Sequence, residues 1–194
     1  MPGLPWLVLA VAYLLGSFPS AYLLARLFRG VDIRVTGSGN VGGMNALRNV
    51  GFWPGLLTGL LDVGKGSLAV YLAQRFTGNP GLSLLAGVGV VLGHNYMIWL
   101  GFKGGKGLGA TAGALLVLSP LTVLYALLGL ALVSLLLRDT NLGSGMGILL
   151  LPLILWLQKG EAGWVWMGLA IGLIVFSKHL GDLADYLKGR RQLF

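Results

Sequence analysis

The sequence predicts an all-α integral membrane protein with about seven transmembrane or partly inserted helices and glycine-rich cytoplasmic loops. Three observations predict it. Of 194 residues, 56% are apolar and only 10% are charged, whereas a water-facing surface ordinarily requires roughly 25%. The apolar residues gather in seven runs, at about 4 to 27, 51 to 74, 80 to 100, 107 to 118, 120 to 137, 143 to 157 and 162 to 178. The polar residues between them collect in short loops that combine glycine with arginine or lysine. The chain reads as one polytopic domain, 1 to 194.

In chain order, the first run lacks the basic n-region of a cleaved signal peptide and is expected to stay as a membrane helix. The run at 107 to 118 is shorter than the ~20 residues a full span needs. Because Ser119-Pro120 separates it from the next run, a broken or half-depth helix is expected there. With seven crossings and an outside N-terminus, Arg26, Arg29, Arg34, Arg48, Lys103, Lys106, Arg138, Lys178, Lys188, Arg190 and Arg191 share one side, eleven in all. Only Arg75 and Lys159 face the other. Merging the fourth and fifth runs gives six crossings and a seven-to-six split. The positive-inside rule selects seven, and every polar glycine-rich loop then opens on the cytoplasmic face.

The net charge of +8, from 14 basic and 6 acidic residues, fits loops beside anionic lipid and an anionic substrate rather than nucleic acid. Cysteine is absent, which excludes disulfides, cysteine-rich zinc sites and a thioester on the enzyme.

The most informative stretch is RVTGSGNVGGMNALR at 34 to 48. Gly37, Gly39, Gly42 and Gly43 alternate there with Ser38, Asn40 and Asn45, bracketed by Arg34 and Arg48. Residues without a Cβ let successive N–H groups converge on an anion, small polar side chains add hydrogen bonds, and guanidinium groups supply charge. A helix starting near Asn45 would add its N-terminal amides. The glycine spacing also fits a dinucleotide-binding fingerprint, but no strand precedes it. A plain turn between helices needs fewer glycines and no such cluster of amides and arginines.

Further along, DVGKG places Asp62 and Lys65 one helical turn apart inside a span, where an unpartnered charge costs at least ~2.5 kcal/mol. A mutual ion pair is expected, either purely structural or shaping the site. Gly66 stands where a P-loop needs Ser or Thr, so nucleotide binding is rejected. The stretch GHNYMIWLGFKGGKG carries His94, Gly104, Gly105, Lys103 and Lys106, and an ammonium beside glycines again suits phosphate. His94 is either a site residue or a histidine bonded near a helix end, and no second histidine at metal-ligand spacing accompanies it. The loop RDTNLGSG at 138 to 145, with Ser144, reads equally as phosphate contact or as cap and turn. In the tail, His179 and Asp182 stand at helical i,i+3 spacing.

Together these motifs resemble the bacterial acyl-phosphate:glycerol-3-phosphate acyltransferases. The resemblance covers nearly the whole chain: LLGSFPSAYLLAR and GVDIR, then GSGNVGGMN with Arg48, LDVGKG, GHNY with GFKGGKG, and the tail histidine. It implies a seven-helix protein of the bacterial inner membrane that moves an acyl chain from acyl phosphate to the sn-1 hydroxyl of glycerol 3-phosphate. Lysophosphatidic acid and phosphate would be the products, for phospholipid synthesis. It implies no metal or cofactor, contact with membrane lipid and with the enzyme that makes acyl phosphate, and no nucleic-acid partner. An acyl phosphate is an activated anhydride, so positioning and charge suffice without a covalent nucleophile. Ser38, Asn40 and the amides around Gly39 to Gly43 are assigned to phosphate and the developing oxyanion, Arg48 and Lys106 to a clamp, and His179 to the polar shell. Neither histidine begins an H-x4-D signature: Trp99 and Ala184 occupy the relevant positions. That separates the chain from acyl-CoA-dependent enzymes.

Three places depart from the family pattern, the first reading Gly43-Met44-Asn45 where alanine-threonine-asparagine is usual. Met44 replaces a threonine, Met97 a proline and Asp182 an asparagine. A diverged paralogue with another phosphorylated-alcohol acceptor is therefore one alternative. A transporter of a phosphate-bearing solute is the other, although the outer loops offer little polarity beyond Arg75, Asn79, Lys159 and Glu161.

Overall fold

Proline and glycine placement decides where the helices begin and break. The computed structural model describes residues 3–189, and Arg190 and Arg191, counted above in the basic tail, lie outside them. The described residues divide into two compact units, with the boundary between Leu118 and Ser119.

In the first unit the leading apolar run is two helices rather than one, α1 (Leu4–Gly16) and α2 (Ser20–Arg29). Pro19 at the junction has no N–H to continue the ladder. The break leaves carbonyls that other elements meet: Lys65 Nζ donates to the Phe18 carbonyl at 3.1 Å. A 3-10 turn (Ile33–Val35) and the short helix α3 (Gly43–Asn49) follow. The spans α4 (Phe52–Thr77) and α5 (Pro80–Asn95) come next. The third apolar run therefore ends as a helix at Asn95 and continues as a 3-10 turn (Ile98–Leu100) into the second glycine-rich loop. Helix α6 (Leu108–Leu118) closes the unit.

Close backbone approach holds these helices together. A Cβ at Gly16 would overlap the Val90 carbonyl, and one at Gly93 the Tyr13 carbonyl, so α1 and α5 touch along their backbones. Gly66 and Gly113 do the same for α4 and α6, against the carbonyls of Ala110 and Val63. Small residues at the crossing replace the hydrophobic drive that is missing between helices in lipid. At one end of the unit, Ala21, Ala25, Ile33, Val41, Ala46, Val50, Met97 and Leu100 form one buried apolar cluster. Both glycine-rich loops grow out of it.

The second unit contains α7 (Pro120–Leu137), α8 (Thr140–Gly147), which runs through a 3-10 turn (Ile148–Leu150) into α9 (Leu151–Lys159), then α10 (Ala162–Ser177) and α11 (Leu180–Leu187). Only Thr122 of α7 is buried, while most of its leucines stand exposed, as on a helix surrounded by lipid. Lys159 Nζ lies 5.0 Å from the Trp164 ring centroid, the aromatic and cationic pairing common at a membrane interface.

Among the described residues, five helical stretches are long and apolar enough to cross a membrane, and the α10 and α11 pair, bent by 57°, makes a sixth. The 11-residue α6 is the remaining short apolar element. The chain is a multi-pass, all-helical membrane protein.

Candidate active site

The first glycine-rich loop is built around Asn45. Its side chain is buried in the first turn of α3, and its amide nitrogen donates to the carbonyls of Asn40 (2.9 Å), Thr36 (3.0 Å) and Ile33 (3.4 Å). Its Oδ1 accepts from the Ser38 amide at 3.2 Å and from Asn49 Nδ2 at 2.9 Å. One carboxamide thus ties five partners, and its hydrogen-bonding capacity goes into the loop. Gly37 and Gly39 take the left-handed region, with φ of 58° and 70°, where a Cβ is disfavoured. A Cβ at Gly37 would also sit 2.6 Å from Asn45 Oδ1. Gly42 is extended, and its constraint is proximity to Asn40 Nδ2. Gly43 lets α3 lie on α4, its Cβ position being 3.3 Å from Gly59 N.

The amides expected to form a nest from Gly39 to Gly43 are partly committed. Gly39 N donates to Thr36 O, Asn40 N to Ser38 Oγ and Gly42 N to Asn40 O. The Val41 and Gly43 amides have no acceptor among the described residues. Helix α3 begins at Gly43, two residues before the expected Asn45. Ser38 and Arg48 are exposed, and Asn40 is half-buried.

Arg34 is corrected. It was expected to bracket the anion site, but its Nε and Nη2 grip Asp32 at 3.0 and 2.7 Å, and its guanidinium stacks 5.1 Å from the Tyr22 ring centroid. The Arg34 hydrogen bonds are the main reason the Asp32 carboxyl is lowered to about 2. The pair stays ionised at neutral pH and holds Arg34 to Asp32. The signal was an aspartate two residues upstream.

The second glycine-rich loop folds back over the end of α5. Gly105 N donates to the His94 carbonyl at 3.1 Å, a Cβ at Gly105 would overlap His94 Nε2, and one at Gly104 would overlap the His94 carbonyl. The Cβ position of Gly105 also lies 2.8 Å from the Val41 carbonyl, so the two loops are neighbours. His94 is 2% exposed, too deep for direct contact with solvent. Lys106, next in the loop, is half-buried and Lys103 is exposed.

Beneath the loop lies a buried polar group. Asp62 Oδ1 accepts from Ser20 Oγ at 2.6 Å and pairs with Lys65 Nζ at 3.0 Å, and His94 Nδ1 stands 3.5 Å away. The ion pair expected from sequence is present. Its links to Ser20 and His94 were not foreseen, because they join residues on three helices.

Two of the family departures are absorbed locally. Met97 has φ −66°, the value a proline ring fixes, and its side chain is fully buried in the apolar cluster. Met44 is 56% exposed on α3 and takes no part in the hydrogen bonds that Asn45 makes.

In the second unit, Asp139 caps α8, accepting from the amides of Asn141 (2.8 Å) and Leu142 (2.9 Å). The stretch at 138 to 145 is therefore a cap and a helix more than a loop. Ser144 Oγ donates to the Asn141 carbonyl at 2.9 Å within α8. His179 is fully buried at the bend before α11, with Nδ1 2.9 Å from the Val175 carbonyl. Its ring packs on Gly145, where a Cβ would overlap it. Asp182 lies in the first turn of α11 and is half-buried.

The sequence matches the family model described as glycerol-3-phosphate acyltransferase over residues 6–189. It is 40% identical to the glycerol-3-phosphate acyltransferase of Parasynechococcus marenigrum (strain WH8102) over 94% of this chain and 86% of that protein. It is also 40% identical to glycerol-3-phosphate acyltransferase 2 of Dehalococcoides mccartyi (strain ATCC BAA-2266 / KCTC 15142 / 195), over 92% and 85% of the two chains. Its fold is similar to the crystal structure of PlsY (YgiH), an integral membrane glycerol 3-phosphate acyltransferase, in the glycerol 3-phosphate form. The TM-score is 0.87 at 32% identity, covering 99% of this chain and 96% of that one. The lysophosphatidic acid form of PlsY matches with TM-score 0.86 at 30% identity over the same shares. The family-model match over residues 6–189, the near full-length similarity to these relatives and the shared multi-pass helical fold place this chain in the glycerol-3-phosphate acyltransferase family.

Proposed function

We propose that the protein transfers a fatty acyl group from acyl phosphate to the sn-1 hydroxyl of glycerol 3-phosphate. The carbonyl carbon loses its bond to the phosphate oxygen and gains one to the glycerol oxygen, and the hydroxyl proton leaves with phosphate. The observation that carries this reading is the apposition of the two glycine-rich loops, Val41 against Gly105, with Arg48 in the helix that follows the first and Lys106 in the second. Two phosphate-bearing substrates need this kind of surface: backbone donors, small side chains and fixed positive charge. Ser38, Asn40 and the Val41 and Gly43 amides are assigned to phosphate and oxyanion, and Arg48 and Lys106 to the glycerol phosphate. The anhydride is already activated, so orientation and charge stabilisation supply the rate. Purified protein is expected to form lysophosphatidic acid from acyl phosphate and not from acyl-CoA. Turnover with acyl-CoA alone would overturn the donor assignment.

The site is assigned to the cytoplasmic face of the inner membrane, which the distribution of basic residues supports. Tags at the C-terminus and within 101 to 106 are expected to be cytoplasmic, and one beside Lys159 is not. An external C-terminal tag would contradict this orientation.

Ser144, His179 and Asp182 are assigned to the same chemistry on residue type. A carboxylate ~4 Å from a phosphate would meet about 4 kcal/mol of repulsion per unit charge at an effective dielectric of 20, so Asp182 needs a role that offsets this. Acceptance of the hydroxyl proton as general base is one such role. Asp182→Asn is therefore expected to change kcat or KM for glycerol 3-phosphate more than thermal stability. Unchanged kinetics with a lowered Tm would make Asp182 structural.

A further inference from the structure

The buried group beneath the second glycine-rich loop has no role in the chemistry above. Asp62 lies in mid-α4, 4% exposed, and collects Ser20 Oγ, Lys65 Nζ and the His94 ring on one oxygen. A simple Asp62 and Lys65 pair at i,i+3 would already satisfy the charge. The structure adds more. The imidazole stands between the carboxylate and the loop, with Nδ1 3.5 Å from Asp62 Oδ1 and Nε2 against Gly105 on its other edge. The His94 carbonyl holds the Gly105 amide at 3.1 Å. The start of α6, where the loop ends, passes close to the same residue: a Cβ at Gly109 would be 3.1 Å from the Asp62 Cβ. The segment carrying Lys106 thus starts against His94, which stands beside the Asp62 carboxylate, and ends against the Asp62 stem.

We propose that Asp62 and His94 are positioning residues for the reaction: Asp62 fixes the His94 imidazole, which with its own carbonyl fixes Gly104 and Gly105 and so the placement of Lys106. This rests on the reading of Lys106 as a phosphate contact. Charged groups buried in lipid are held only where partners offset their charge, as Lys65 and Ser20 do for Asp62, and loss of one member of such a group shifts the rest. Glycine at 104 and 105 follows from the same geometry, since any side chain there would displace the histidine or its carbonyl.

The test uses the full-length protein in lipid nanodiscs and reads two quantities: amide hydrogen exchange across residues 101 to 107, and kcat and KM for glycerol 3-phosphate. Asp62→Asn and His94→Phe, which keeps ring volume without nitrogens, are each expected to speed exchange in that segment. Each is also expected to raise KM on the order of tenfold, with a smaller change in kcat. The double variant is expected to be no worse than the poorer single variant, because the two residues act in series. Asp62→Asn/Lys65→Met removes both charges and isolates the bland alternative, in which Asp62 only neutralises Lys65. Its KM and exchange are expected to stay raised. Recovery of both to wild-type values would overturn the proposal, as would multiplied effects in the Asp62→Asn/His94→Phe double variant. Should His94→Phe not fold, His94→Gln, which removes the ring from Gly105, takes its place with the same two outcomes. A wild-type protein that neither binds nor acylates glycerol 3-phosphate would refute the functional reading alone, and the exchange measurement would still decide the positioning role.

Discussion

Arg48→Ala and Lys106→Ala are each expected to lower kcat/KM for glycerol 3-phosphate by about 10- to 150-fold, the equivalent of the roughly 1.5 to 3 kcal/mol assigned to a charge-assisted contact. Arg48 is exposed in the last turn of α3, so its removal leaves no buried group unsatisfied and the Tm should move little. Lys106 belongs to the loop held by His94, and its loss should likewise act on turnover. Purified variants assayed for product formation beside a thermal melt separate the two effects. Near-normal turnover by either variant would remove that residue from the clamp.

Gly39→Ala and Gly37→Ala are expected to lose at least as much activity, through the backbone instead of through charge. At Gly39 the new Cβ would meet the Arg34 carbonyl at 2.9 Å with φ at 70°. At Gly37 it would push on the Asn45 carboxamide that ties the loop together. Gly160→Ala is the informative control. Its φ is 66°, yet nothing lies within 4 Å of the added methyl, so it bears the conformational strain of roughly 1 kcal/mol without touching the loop. Activity per folded molecule should survive at 160 and fall at 37 and 39. Equal losses at all three positions would reduce the loop to an ordinary turn.

These contrasts show what a sequence can carry. Helix content, the short α6 and the Asp62 to Lys65 pair were legible because each rests on local spacing or on the intolerance of lipid for lone charge. The break between α1 and α2 was signalled by Ser17-Phe18-Pro19-Ser20, but an apolar run read for length passes over it. The direction of individual amides was not legible. Whether Gly39 N–H faces a substrate or the Thr36 carbonyl depends on dihedral angles that composition does not specify. Long-range links were equally hidden, as with Ser20 to Asp62, 42 residues apart, and the His94 ring against Gly105. Arg34 turns to Asp32 and Tyr22 because their pull on the guanidinium is stronger than that of a loop without fixed negative charge.

Under the proposed function the two loops transfer the acyl group directly, by position and charge, with no covalent acyl-enzyme. Phosphate release from acyl phosphate, followed in a single turnover with purified protein, tests this most directly. Release is expected only when glycerol 3-phosphate is present, with one lysophosphatidic acid formed per phosphate. A stoichiometric burst of phosphate without acceptor, leaving acyl-labelled protein, would contradict it.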